Sequence, residues 1–116
     1  MIIGIQGSRN FSDYSIFLNA MLRVMQDFEQ EDTELVFLSV GPHKVNDMIL
    51  EFINVANWRR GDRVIKPKLV KMPVKALEER VYDLDEFVYL CLPKEPETHL
   101  VEAADNAGLI PRVFRY

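Results

Sequence analysis

Ile2-Ile3-Gly4-Ile5-Gln6-Gly7-Ser8-Arg9-Asn10-Phe11-Ser12-Asp13, running into Tyr14-Ser15-Ile16-Phe17, is the stretch that decides how this chain folds. From Ile2 to Gln6 the residues are apolar and β-branched and stop at a glycine, which reads as a short strand buried on both faces. The period then changes. Phe17, Ala20, Met21, Val24, Met25 and Phe28 recur at three- and four-residue steps, on one face of a helix expected over residues 14–28. Ser12 or Asp13 caps its start by accepting from an unpaired backbone N–H.

The same unit recurs outward. An acidic stretch at residues 29–34 reads as a solvated turn, and Leu35-Val36-Phe37-Leu38-Ser39-Val40 is again an apolar run ending at a glycine, Gly41. A helix over residues 45–56 turns Val45, Met48, Ile49, Phe52, Ile53 and Ala56 inward. Residues 57–68 are irregular and basic, with Trp58 anchoring the end of that helix. A short strand at residues 69–72 follows, then a helix at 74–82 with Leu77 and Val81 inward. Phe87-Val88-Tyr89-Leu90-Cys91-Leu92 is the fourth strand, residues 97–107 a helix capped by a left-handed Gly108, and residues 111–115 the last strand. Regular alternation with fully apolar strands predicts an α/β fold, a Rossmann-like three-layer sandwich. Its sheet is expected to have about five parallel strands in the order 3-2-1-4-5, with helices on both faces.

With 116 residues, the chain suits a single domain. Hydrophobic residues at 48% and charged ones at 28% exclude wholesale disorder. No apolar run approaches the roughly 20 residues of a membrane span, and Met1-Ile2-Ile3-Gly4-Ile5 lacks the features of a secretory signal. The lone Cys91 makes no internal disulfide, and no metal-ligand spacing is present, so the expected compartment is the cytoplasm and no metal or cofactor is expected. Fourteen Lys and Arg against 18 Asp and Glu give a net charge of −4, which argues against nucleic acid as a partner.

Ligands of open parallel sheets bind beyond the carboxyl ends of the strands, where strand order reverses. The loops to read are therefore Gly7-Ser8-Arg9-Asn10-Phe11, Gly41-Pro42-His43-Lys44 and Pro93-Lys94-Glu95-Pro96-Glu97-Thr98-His99. In the first, Gly7 lets the backbone turn and approach a ligand, Ser8 offers a hydroxyl, and Arg9 a charged fork suited to phosphate or carboxylate. The plainer alternative is an ordinary turn with a solvated arginine.

Gly7-Ser8-Arg9-Asn10-Phe11-Ser12-Asp13 resembles the signature G-[SG]-R-x-F-x-D that opens proteins of the SLOG superfamily, in particular its YpsA-related branch, relatives of the DprA and lonely-guy families. The resemblance implies a Rossmann-like fold and a nucleotide-type pocket to which Gly7, Ser8 and Arg9 contribute. It also implies pairing into dimers through helices. The family's second motif, G-G-A-x-G-x-D, matches Gly41-Pro42-His43-Lys44-Val45-Asn46-Asp47 only at its first glycine and its aspartate. Pro42 has no N–H to donate, Val45 is branched where close approach is needed, and His43 and Lys44 are the side-chain donors left. Lonely-guy enzymes carry P-G-G-x-G-T-x-x-E. Here Pro93 and Thr98 remain, the glycines are gone, and Val101 stands at the glutamate. His99 has the chemistry of a general base, although a lone histidine in a first helical turn is more often a surface residue.

The expected function is binding of a nucleotide-derived or other phosphate-containing ligand without efficient catalysis. Gly7, Ser8, Arg9, Gly41, His43, Lys44, Lys94, Thr98 and His99 form the candidate site. Two other classes stay open. One is a nucleoside-monophosphate phosphoribohydrolase, an N-glycosidase. The other is a pocket-less protein-interaction module acting through Arg59, Arg60 and Arg63 or exposed helices, a form that suits a phage accessory protein.

Overall fold

A computed structural model describes residues 1–26 and 34–115. Five strands form one parallel sheet: β1 (Ile2–Gly7), β2 (Glu34–Ser39), β5 (Lys66–Lys71), β6 (Glu86–Cys91) and β7 (Arg112–Arg115). Between β2 and β5, Arg59–Arg60 (β3) pairs antiparallel with Arg63–Val64 (β4) in a separate hairpin. The sheet runs β5-β2-β1-β6-β7. These labels differ from the expected 3-2-1-4-5 because the hairpin, absent from the sequence reading, takes two numbers. Counted without it, the five strands stand in that order.

Strand alternation splits the core in two. Ile3 and Ile5 of β1 join Leu35, Phe37, Val88, Leu90 and Phe114 on one face, under α1 (Tyr14–Met25) and α2 (His43–Val55). Leu38, Phe87, Tyr89 and Cys91 point to the other, under α3 (Val74–Glu78), a 3-10 turn at Val81–Asp83, and α4 (His99–Asn106). Phe17, Ala20, Met21 and Val24 are the buried side of α1, as their spacing predicts. Residues 27–28, expected as its last turn, and most of the expected acidic turn, residues 29–33, lie outside the described residues. Glu34 belongs to β2 rather than to that turn.

Several local expectations hold. Asp13 Oδ1 accepts from the Ile16 N–H at 3.1 Å, capping α1. Trp58 Nε1 donates to the Ile53 carbonyl at 2.8 Å and its ring meets Phe52 edge-on at 5.3 Å, so it closes the end of α2. Gly108 follows α4 at φ +90°, with the Leu109 N–H returning to the Ala104 carbonyl. The expected third helix is shorter: Leu77 lies on α3, and Val81 on the 3-10 turn, both buried.

Candidate functional site

Strand order reverses between β1 and β6, and the loops leaving these two strands meet. The Ser8 N–H donates to the Leu90 carbonyl and Ser8 Oγ to Glu95 Oε1, both at 2.7 Å. Thr98 Oγ1 donates to Gln6 Oε1 at 2.6 Å. The side-chain bonds join residues 87 and 92 positions apart in the chain. The second loop is itself braced: the Leu92 N–H donates to Glu95 Oε1 at 2.9 Å, Tyr89 Oη to the Pro96 carbonyl at 3.3 Å, and Arg115 Nη1 to the Glu95 carbonyl.

Within the first loop, the motif residues divide by role. Phe11 is fully buried and holds the loop to the core, and Asp13 is the helix cap. Gly7 has a packing duty as well. It ends β1 with no positive φ, and a Cβ there would collide with Val45 Cγ2. A glycine is required here because the first turn of α2 sits where a side chain would be. Ser8 is 7% exposed and spends its hydroxyl on Glu95, while Asn10 N–H approaches the same oxygen at 3.3 Å. Arg9 is exposed and makes no ion pair among the described residues.

At the second loop Gly41 is buried at φ +86°, a conformation in which a side chain would be strained, and its carbonyl accepts from the Gly7 N–H at 2.9 Å. α2 begins at His43, earlier than the sequence predicts, so His43 and Lys44 occupy its exposed first turn rather than a loop. His43 Nε2 faces Asp47 Oδ2 at 3.3 Å. Beneath them lies a buried network that the sequence reading missed. Ser39 Oγ donates to Asn46 Oδ1 at 2.5 Å and accepts from the Gly41 N–H at 3.0 Å. The available signal was a polar residue, Asn46, set between Val45 and Ile49 on the inward side of an amphipathic helix.

In the third loop Lys94 is exposed, with no ion pair among the described residues. Thr98 caps α4, accepting from the Val101 N–H at 3.4 Å. His99 opens α4, two residues later than expected, with its side chain 94% exposed and Nδ1 3.9 Å from Glu102 Oε2. Thr98 and His99 line a groove of about 700 Å³ along α4 and β7, together with Glu97, Glu102 and Asp105. Three carboxylates make this groove unfavourable to anions. Val101, at the glutamate position of the lonely-guy motif, is a core residue at 3% exposure.

The basic stretch is separate from these loops. Its arginines start the β3–β4 hairpin, and Lys66, Lys68 and Lys71 lie on β5, an edge strand separated from β6 by two strands. Burial pushes the Cys91 thiol up, an effect that Arg115 opposes without reversing, so this buried cysteine stays protonated and poorly nucleophilic. Burial likewise raises the Tyr89 phenol and keeps it a donor. Among the described residues, no group of three or more His, Cys, Asp or Glu is placed to hold a metal ion, and no helix is long and apolar enough to cross a membrane. No protein-family model, no curated protein and no solved structure matches the chain.

Proposed function

We propose that this is a small SLOG-like domain that binds a nucleotide-derived or other phosphate-bearing ligand where β1 and β6 diverge, in a sensing, sequestering or regulatory role. The reading is supported above all by the joining of the two loops at Ser8 and Glu95, which leaves one exposed cation on each, Arg9 and Lys94, without ion pairs among the described residues. An arginine fork and a lysine on facing loops suit an anion held between them. Binding without efficient catalysis follows from the side chains at hand. Val101 replaces the reacting glutamate, Glu102 lies on the exposed side of α4 near His99, and Cys91 is buried.

Isothermal titration with AMP, ADP-ribose and cyclic nucleotides tests the proposal. Binding that weakens about tenfold or more in Arg9→Ala, the loss of one charge-assisted contact, is the expected result. Silence toward all of them at about millimolar concentration (roughly −4 kcal/mol) sinks it. Release of free base from AMP or GMP that vanishes in Arg9→Ala would put the N-glycosidase reading first.

A second reading, self-association or protein contact through helices, draws on a different feature. Leu18, Leu22, Met25, Phe52, Val55 and Trp58 line an apolar groove of about 480 Å³, with Leu22 53% and Val55 64% exposed. A dimer in sedimentation velocity that Leu22→Asp converts to monomer supports it; a monomer at every concentration removes the self-association form.

A further inference from the structure

The apolar groove between α1 and α2 combines exposed hydrophobic surface with charge of one sign. α1 buries Phe17, Ala20, Met21 and Val24 in the core. Leu18, Leu22 and Met25, at four- and three-residue steps, form a second apolar stripe beside that face and line the groove of about 480 Å³. Phe52 and Val55 line it from α2, and Trp58 and Ile65 from the residues that flank the β3–β4 hairpin. Leu22 is 53% and Val55 64% exposed, so the stripe reaches solvent. Contiguous exposed apolar surface marks an interaction site, and aromatic rings, methionine and arginine are the side chains enriched where partners meet. Arg59 is the one charged residue that lines the groove among the described residues, and it is exposed and makes no ion pair among them. The hairpin it opens holds Arg59, Arg60 and Arg63 against Asp62, in a chain whose net charge is −4. Arg23, next to Leu22 on α1, is exposed as well. A second copy would press this cationic face against its like, whereas carboxylates bordering an apolar stripe would complement it. Two neighbouring helices offer a groove for the apolar face of a third, held by anchors at helical spacing.

Resting on the protein-contact reading of this groove, we infer that it receives an amphipathic helix of a partner protein whose apolar stripe is bordered by Asp and Glu. Leu22, Val55 and Trp58 take the apolar anchors, and Arg59 meets a carboxylate at the border. Arg59 thus selects acidic partners over basic ones.

Trp58 is the chain's single tryptophan and lines the groove, so its fluorescence reports occupancy. The test titrates the whole chain with three tryptophan-free synthetic helical peptides. One has leucines along one face and glutamates around them, the second has lysines in place of the glutamates, and the third has serines in place of the leucines. Wild type, Arg59→Glu and Leu22→Ser are compared, both changes falling on exposed residues. On wild type, the Leu/Glu peptide is expected to shift Trp58 emission to the blue and to bind at least about tenfold tighter than the Leu/Lys peptide. Arg59→Glu is expected to erase or reverse that preference, and Leu22→Ser to weaken the Leu/Glu peptide about tenfold. The wild-type comparison requires no variant to fold. Equal or tighter binding of the Leu/Lys peptide, weakened by Leu22→Ser, overturns the inference and leaves the protein-contact reading intact. A preference for acid that survives Arg59→Glu overturns it too, as does binding indifferent to Leu22→Ser or as tight for the serine peptide. Silence of the Leu/Glu peptide at about millimolar concentration also overturns it. Sedimentation velocity then decides the reading beneath: a dimer that Leu22→Ser weakens keeps the groove as a self-interface, and a monomer at every concentration takes both down.

Discussion

A methyl group added to Gly7 would collide with Val45, and this contact explains a glycine that the motif alone assigns to ligand approach. Gly7→Ala is expected to lower stability by about 1–3 kcal/mol, the cost of overpacking, with the unfolding midpoint in urea as the measurement. Asn46 illustrates the converse. Its amide oxygen accepts from Ser39 inside the protein, so Asn46→Ala strands a buried hydroxyl and is expected to cost about 1–3 kcal/mol in the same assay. Glu86 carries a pH dependence. Burial, with Asp85 adding to it, pushes its carboxyl above the usual value even though Arg112 Nε lies 3.1 Å away. A carboxyl with a raised folded-state pKa binds its proton more tightly when folded. Its contribution to stability is therefore greatest in acid and is lost as pH rises from the ordinary glutamate value through the raised one. Relative to Glu86→Gln, the wild type should lose stability across that window, read from urea midpoints at about pH 4 and pH 7. At this scale the motif was half legible. Asp13, one of two cap candidates, has a local duty that its place before the helix suggests, whereas the burial of Phe11 and the reasons for Gly7 and Ser8 lie in tertiary contacts, those of Gly7 and Ser8 with Val45 and Glu95 far along the chain.

Among elements, β5 shows how a charged run can mislead. Lys66, Lys68 and Lys71 invite a reading as an anion-binding patch, yet they and Pro67 occupy an edge strand, where lysine and proline discourage pairing with another chain. Replacing Lys66 and Lys68 together by valine should leave the monomer folded and promote aggregation, detected as time-dependent light scattering at concentrations where the wild type stays clear. The helices and main strands were readable because their apolar periods are local and strong. The β3–β4 hairpin was not: two-residue strands carry no period, and the sign available was the Gly61-Asp62 turn, with Gly61 at φ +62°. α3 was overestimated because Leu77 and Val81 keep helical spacing across a break into a 3-10 turn.

For the molecule as a whole, the bonds that matter most to the proposed function are also those that span the chain. Ser8 to Glu95 and Thr98 to Gln6 couple the β1 loop to the β6 loop across the point where strand order reverses. A double-mutant cycle on Ser8→Ala and Glu95→Ala should return a coupling energy of about 1–3 kcal/mol, as for a hydrogen bond to a charged group, from unfolding of the four proteins. A value near zero would mean that the loops are held by their backbones alone. Sequence by itself determined the α/β class, the alternation of strand and helix, the inward faces, and the cap at Gly108, since each follows from interactions within one turn or one strand, while at the start of α1 it left Ser12 and Asp13 as alternatives. Tertiary structure alone decided that Val45 fills the space over Gly7, that Thr98 and His99 line an acidic groove, and that Glu95 occupies the meeting point of the loops. Those facts depend on which strands become neighbours, and sheet order brings together residues that no local pattern relates.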